Sequence, residues 1–162
     1  MKQALVIGYG NPCRGDDGIG WHLISRLAEE RRLPAGVEAM SVLQLTPELA
    51  ERLSRVDLVL FVDARWDRIP GRIGQSRLEP SEASAASFSH QVDPAALLGM
   101  ARLLYGRAPE AWLITVAGES FEHAEVLSRS VSASVPGLLK RVEHLLAGLQ
   151  PAAPMGRPPL YA

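Results

Sequence analysis

Short apolar segments alternate along the chain with longer segments in which apolar residues recur every three or four positions. The fully apolar runs at residues 4–7 and 58–62 predict strands that are buried on both faces. Weaker patterns predict strands at 37–42 and 112–116 and an exposed edge strand at 72–78. We therefore expect about five strands.

Helical periodicity predicts four helices, at about residues 18–32, 47–54, 94–106 and 128–149. The second and third follow a capping residue and begin with proline, a signal typical of helix N-termini. Pro136 falls in the last helix and should kink it or mark its true start. Strands that alternate with helices imply a parallel sheet. The expected fold is an α/β three-layer sandwich: a mostly parallel, twisted sheet of about five strands with helices on both faces.

The composition indicates one globular domain. With 162 residues, of which 47% are hydrophobic and 22% charged, the chain can bury a single core, which we place at residues 1–149. The Pro-rich tail at 150–162 has few large apolar side chains, so we expect it to be loosely ordered and dispensable.

Charge and cysteine content exclude several classes of partner. A net charge of −1 creates no field that would attract nucleic acid or an anionic membrane surface. The single cysteine, Cys13, cannot form an internal disulfide, and no apolar run is long enough to span a bilayer. We expect a cytoplasmic protein that binds neither nucleic acid nor membranes.

The loop after the first predicted strand, GYGNPCRGDDGIG, is rich in glycine but carries no nucleotide fingerprint. A dinucleotide motif that begins at Gly8 and Gly10 needs a third glycine where the chain has Cys13. The Gly-Lys-Ser/Thr of a phosphate-binding loop is absent from the sequence. A flavodoxin-like nucleotide binder is therefore the weaker alternative.

Two adjacent carboxylates, Asp16 and Asp17, distinguish this loop. We expect one of them to cap the helix that follows, which leaves the other without a structural explanation. Gly18 and Gly20 lie in the first turn of that helix, where each glycine costs about 1 kcal/mol relative to alanine. We interpret these glycines as keeping the surface open for a large partner.

Asp63 and His90 could join one of these acids in a single site. Asp63 directly follows the apolar run at 58–62, and His90 lies in a loop before the third predicted helix. Ligand sites of parallel sheets lie at the carboxyl edge, where such loops meet. Two carboxylates and one imidazole would form a mixed oxygen and nitrogen site for a transition metal. The alternatives are a strand-terminating turn for Asp63 and an ordinary loop histidine for His90.

Several segments of the chain resemble the hydrogenase maturation endopeptidases. The segment VIGYGNPCRGDDGIG at 6–20 is similar to the N-terminal signature of that family, and the resemblance continues through LFVDA at 60–64, SHQ at 89–91 and the segment 118–128. Members remove a C-terminal extension from the large subunit of nickel-iron hydrogenases. Position by position, the nickel-contacting residues of the family fall on Asp17, Asp63 and His90.

The resemblance implies an endopeptidase, a hydrolase whose partner is the precursor of a nickel-iron hydrogenase large subunit. It also implies that the nickel is carried by the substrate and is bound weakly or not at all by the isolated protein. Asp17, Asp63 and His90 would then be both the metal-recognising and the catalytic residues. The main alternative is a non-catalytic nickel-site chaperone of the same subunit.

Overall fold

The computed structural model describes residues 1–81 and 92–149, which form a five-stranded sheet with helices on both faces. The strands are β1 Ala4–Tyr9, β2 Val37–Val42, β3 Leu58–Arg65, β4 Ile73–Leu78 and β5 Glu110–Ala117. Their order across the sheet is β2-β1-β3-β5-β4. Only the edge strand β4 is antiparallel to its neighbour among these strands. The prediction of an α/β sandwich with a mostly parallel sheet is confirmed.

The helices of the described residues cover the sheet in pairs. They are α1 Ile19–Glu29, α2 Leu49–Leu53, α3 Pro94–Tyr105 and α4 Arg129–Ala147. Helices α1 and α4 pack on one face of the sheet, and α2 and α3 pack on the other. Side chains of a strand alternate between faces, so Ala4 and Val6 of β1 join the first core while Leu5 and Ile7 join the second. The residues of β1 are therefore apolar throughout because the strand contributes side chains to the core on each face of the sheet.

Helix α1 is shorter than the predicted span of 18–32. It ends at Glu29 because Arg31 adopts a left-handed conformation with φ 51°. The amide of Arg31 then donates to the Ala28 carbonyl at 3.3 Å, and the amide of Arg32 donates to the Leu27 carbonyl at 3.0 Å. This is the Schellman pattern of a helix C-terminus. The sequence concealed it because arginine occupies the position that usually holds glycine.

Strand β3 does not stop at Asp63 as predicted. Asp63 pairs with Thr115 of β5, and the pairing continues to Arg65 and Ala117. The interpretation of Asp63 as a strand-terminating turn residue is therefore wrong. Asp63 lies within β3, and the backbone hydrogen bonds between β3 and β5 fix the position of its backbone.

The predicted cap of α3 is present, and α4 has a cap that was not predicted. Asp93 Oδ1 accepts a hydrogen bond from the Ala96 amide at 2.7 Å, and Ser128 Oγ accepts from the Val131 amide at 3.4 Å. Pro136 lies inside α4, which begins at Arg129, so Pro136 does not mark the start of the helix. Helix α2 begins at Leu49 rather than at Pro47, because the preceding residues form a turn.

Within residues 1–81 and 92–149, none of the helices combines the length and the apolarity that a membrane crossing requires. His90 and the Pro-rich tail at 150–162 lie outside the described residues.

The dispensability of the tail stays a prediction. A chain truncated after Leu149 should keep the melting temperature of the full chain, because the apolar positions of α4 end there and the tail has little apolar surface to bury. Thermal unfolding of both chains, followed by circular dichroism, measures this. A large drop in melting temperature on truncation would show that the tail contributes to folding.

Candidate functional site

A cleft of about 490 Å³ opens at the carboxyl edge of the sheet. Its walls come from the ends of β1 and β3, the loops that follow β1 and β2, and the start of α3. The lining residues are Tyr9, Gly10, Asp17, Leu43, Gln44, Leu45, Asp63, Val92, Asp93 and Pro94. The structure thus brings together two of the three predicted site residues, Asp17 and Asp63.

The cleft is acidic. Asp17, Asp63 and Asp93 line it, and no lysine, arginine or histidine is among the described lining residues. The negative charges of these three carboxylates all act on the hydroxyl group of Tyr9, and the charge of Asp17 also acts on Asp63. Carboxylates collected without a compensating cation favour a positively charged ligand.

Asp63 is a carboxyl group of the cleft whose pKa is raised. Its Oδ1 accepts a hydrogen bond from the Ala64 amide at 2.8 Å. Burial raises the pKa of Asp63 to about 6, the hydrogen bonds from the Ala64 amide and the Tyr9 hydroxyl oppose this rise, and the charge of Asp17 adds to it. The carboxyl group therefore exchanges its proton close to neutral pH. Perturbed acids in clefts are typical of functional sites.

Tyr9 is a site residue that the sequence reasoning missed. Its hydroxyl group donates to Asp63, and its ring packs edge-on against Phe61, with centroids 6.4 Å apart. Burial and then the charge of Asp63 raise the pKa of Tyr9, so the phenol stays protonated and remains a donor. The strand register accounts for this contact. Gly8 of β1 pairs with Val62 of β3, so the residues that follow them, Tyr9 and Asp63, lie side by side.

Asp17 is held at the cleft by the loop that follows β1. Its Oδ2 accepts a hydrogen bond from the Asn11 amide at 2.7 Å. The preceding Gly10 has φ 133°, and a Cβ there would lie 2.3 Å from the Asp17 carbonyl oxygen, so only glycine fits. Trp21 Nε1 donates to the carbonyls of Gly10 at 3.0 Å and Val42 at 3.2 Å, which ties this loop to the end of β2.

Asp16 does not cap helix α1, and neither does Asp17, so the capping prediction is wrong. The N-cap of α1 is Gly18, and it makes no side-chain hydrogen bond. Asp16 is instead 0% exposed, the one charged side chain in the buried class among the described residues. It lies in a single turn of 3-10 helix, Gly15–Gly18, which turns its carboxylate toward the loop after β5.

Four donors converge on the buried Asp16 carboxylate. The amides of Glu119 and Ser120 donate to Oδ2 at 2.7 and 3.0 Å. The Ser128 amide donates to Oδ1 at 2.8 Å, and the Ser128 hydroxyl donates to Oδ2 at 2.8 Å. Burial acts to raise the pKa of Asp16, but these hydrogen bonds outweigh it and lower the pKa below its usual range. Asp16 therefore stays ionised and joins two distant segments of the chain.

The glycines of this region allow close internal packing rather than an open surface. A Cβ on Gly20 would lie 2.8 Å from Gly8 Cα and 2.9 Å from the Val62 carbonyl oxygen. Gly18 is buried as well, and its Cβ would lie 3.0 Å from Pro12 Cα. Helix α1 thus rests directly on β1 and β3, and the interpretation that glycines 18 and 20 keep a surface open for a partner is wrong.

Gly20→Ala should lower the free energy of unfolding by about 2 kcal/mol or more, because backbone atoms of two strands would have to move. Gly137→Ala is the matched control. Its Cβ would meet only the Ile73 Cδ1 atom at 3.3 Å, and alanine favours the helix by about 1 kcal/mol. Urea denaturation of the two variants measures the contrast. Equal stability of both would refute the close contact between α1 and the sheet.

The third predicted residue, His90, lies outside the described residues. Val92, which lines the cleft, is two positions later in the chain. Across the described residues, no group of three or more histidine, cysteine, aspartate or glutamate side chains has an arrangement that could hold a metal ion.

The fold resembles those of known maturation proteases, although no family model and no curated protein matches the sequence. The hydrogenase maturating endopeptidase HybD from E. coli is 27% identical with a TM-score of 0.72, over 90% of this chain and 93% of that one. The hydrogenase 2 maturation peptidase from Thaumarchaeota archaeon SCGC_AB-539-E09 is 28% identical with a TM-score of 0.67, over 92% and 100%. The NiFe hydrogenase maturation protease HycI from Thermococcus kodakarensis KOD1, at 21% identity and a TM-score of 0.71 over 90% and 93%, shares the fold.

Proposed function

We propose that this chain is a hydrogenase maturation endopeptidase, which removes the C-terminal extension of a nickel-loaded nickel-iron hydrogenase large subunit. The observation that carries this proposal is the acidic cleft. Asp17, Asp63 and Asp93 line this cleft at the carboxyl edge of the sheet, without a basic residue among the described lining residues. Such a site suits a substrate that presents a metal cation next to the bond to be cut.

We assign the recognition of nickel to Asp17, Asp63 and His90. The first two line the same cleft and are close enough for the charge of Asp17 to act on the pKa of Asp63. Val92, two positions after His90 in the sequence, supports the assignment of the third because it lines the cleft too. Oxygen and nitrogen donors of this kind suit a divalent transition metal.

The nickel acts here as a feature of the substrate. Ligands from the hydrogenase subunit would complete the coordination that the two carboxylates and the imidazole leave open. Contact with the metal then fixes the adjacent peptide bond in the cleft, so that cleavage waits until nickel has been installed. The hydroxyl group of Tyr9, which interacts with Asp63, would help to orient that carboxyl group for this contact.

The reaction is hydrolysis of one peptide bond. The oxygen of a water molecule bonds to the carbonyl carbon, the C–N bond breaks, and the leaving amine takes a proton. A carboxylate of the cleft accepts the proton of the attacking water and passes it to the leaving amine.

The experiment that tests this proposal is an intact-mass measurement. The protein is incubated with a nickel-loaded large-subunit precursor, and we expect the precursor to lose the mass of its C-terminal extension. A non-catalytic chaperone would form a complex with the precursor and leave its mass unchanged. That outcome would overturn the endopeptidase proposal and favour the chaperone.

A nucleotide-binding function is disfavoured by the charge of the cleft. Polyphosphates need backbone amides and cations, whereas this cleft presents three carboxylates. Titration with ATP and flavin mononucleotide should give no saturable binding. The cytoplasmic location and the lack of nucleic-acid and membrane partners stay predictions.

The isolated protein should bind nickel weakly. The protein offers at most three ligands, Asp17, Asp63 and His90, so the coordination sphere is incomplete without the substrate. After loading with nickel and dialysis against a chelator, elemental analysis should find much less than one nickel ion per chain. Stoichiometric retention of nickel would instead indicate a resident metal centre.

A further inference from the structure

We propose that Asp16 is a positioning residue, which holds Asp17 at the cleft by joining the loop after β1 to the loop after β5. The importance of Asp17 rests on the function proposed above. The mechanical link between the two aspartates rests on the structure alone. The two parts of the inference can therefore be tested separately.

The first step is the junction between the loops. Besides the four hydrogen bonds to its carboxylate, the Asp16 amide donates to the Ser120 carbonyl at 2.9 Å. Two further backbone bonds flank this contact: the Gly15 amide donates to the Ala124 carbonyl at 2.7 Å, and the Ala124 amide donates to the Cys13 carbonyl at 2.9 Å. The segment 13–16 is thus joined to 119–128 through both its backbone and one buried charge.

The second step is the coupling from Asp16 to Asp17. The two residues share one turn of 3-10 helix, and the Asp17 amide donates to the Arg14 carbonyl at 3.2 Å. A rotation of this turn that lets Asp16 escape its burial would therefore move Asp17 relative to Asn11, which donates to its carboxylate. Displacements of about 1 Å at a reacting site are enough to reduce rates by about two orders of magnitude.

The third step concerns the requirement for a carboxylate. An aspartate has two acceptor oxygens, whereas an asparagine of the same shape has one acceptor and one donor group. Four donors point at Asp16, so an asparagine would leave donors facing its own amide group. A rotation of the turn would relieve this conflict.

The test compares Asp16→Asn with a control of similar instability. Val142→Ala serves as the control. Val142 is 0% exposed in the core that α1 and α4 form with the sheet. It lies thirteen residues after Arg129, the first residue of α4, and is therefore about 20 Å further along the helix. The first measurement is hydrogen exchange of the Asn11 amide, which donates to Asp17. We expect the Asn11 amide to exchange at least about 10-fold faster in Asp16→Asn than in the wild type, after correction for any increase seen in Val142→Ala. Equal exchange in the two variants would overturn the positioning role.

The second measurement is the affinity for a nickel-loaded precursor, in a double-mutant cycle with Asp17→Asn. If Asp16 acts through Asp17, Asp16→Asn weakens binding at least about 10-fold, and the double variant binds within about 2-fold of Asp17→Asn alone. Fully additive effects, or wild-type binding by folded Asp16→Asn, would contradict the inference. If the wild-type protein fails to bind the precursor, the proposed function fails, and the exchange measurement still decides the positioning role.

Ser128→Ala replaces Asp16→Asn if that variant does not fold. It removes one of the four donors, the hydroxyl group at 2.8 Å, together with the cap that this hydroxyl gives α4, and leaves the three backbone donors to the carboxylate in place. We expect faster exchange at the Asn11 amide by about 2- to 5-fold, again relative to Val142→Ala. An unchanged rate would count against the coupling between Asp16 and Asp17.

Discussion

Asp16→Ala should lower the free energy of unfolding by about 3 to 5 kcal/mol, a large share of the stability of a domain of this size. The substitution leaves three backbone amides and a hydroxyl group facing a site that has no acceptor. Each unsatisfied buried donor costs about 1 to 3 kcal/mol, and water that enters the site recovers part of this. Urea denaturation at pH 7 measures the loss.

Asp57→Ala is the matched control for this variant. Asp57 also accepts a backbone amide, from Gln3 at 2.8 Å, but its side chain is 38% exposed and water can replace it. Asp57→Ala should therefore lower the free energy of unfolding much less than Asp16→Ala does. Similar losses for the two variants would show that the Asp16 carboxylate is not the buried junction described above.

The pH dependence of Asp16→Ala has a defined sign. Because hydrogen bonds lower the pKa of Asp16 in the folded state below its value in the unfolded chain, its stabilisation is present above the unfolded-state pKa. It is lost as the pH falls through the folded-state pKa. The difference in stability between the wild type and the alanine variant should therefore shrink under strongly acidic conditions.

Asp63→Asn should reduce precursor cleavage at least about 100-fold, about 2.7 kcal/mol of lost transition-state stabilisation, while it stabilises the fold at neutral pH. The variant removes the negative charge of Asp63, which serves cleavage in the proposed function but does not stabilise the fold. Burial disfavours the ionised form of Asp63 and raises its pKa from 3.8 to about 6. Relief of this cost should raise the free energy of unfolding by about 1 to 3 kcal/mol at pH 7.

The sign of this second effect follows from the raised pKa. Between the usual aspartate pKa of 3.8 and the folded-state value of about 6, the folded protein binds its proton more tightly than the unfolded chain does. The wild type therefore loses stability as the pH rises through this window. The gain from Asp63→Asn should be close to zero below about pH 3 and reach its maximum above about pH 7. A variant that is less stable than the wild type at pH 7 would contradict the burial cost.

Much of the fold could be predicted because it depends on local patterns. The run at 58–62 is apolar throughout since Leu58 and Leu60 face α1 and α4 while Val59 and Phe61 face α2 and α3. Caps such as Asp93 act over three residues and are visible in the sequence. The end of α1 was mispredicted because a left-handed arginine carries no such signal.

The site was predicted only in part because its contacts join distant segments. That Asp17 and Asp63 line one cleft followed from the ends of parallel strands. Residue types alone did not separate the roles of Asp16 and Asp17, which only the family resemblance distinguished, since the donors to Asp16 are 103 to 112 positions away in the chain. Gly20 was misread for the same reason: the strand atoms that exclude a side chain there belong to Gly8 and Val62.

The measurement that tests the central claim most directly compares nickel-loaded and metal-free forms of one large-subunit precursor. Both are incubated with the wild-type protein and with Asp17→Asn, and the rate at which the C-terminal extension is released is followed by mass spectrometry. We expect the wild type to cut the loaded form at least about 100-fold faster than the metal-free form, and Asp17→Asn to lose this preference. Equal cleavage of both forms by the wild type would contradict a site that recognises the nickel of its substrate.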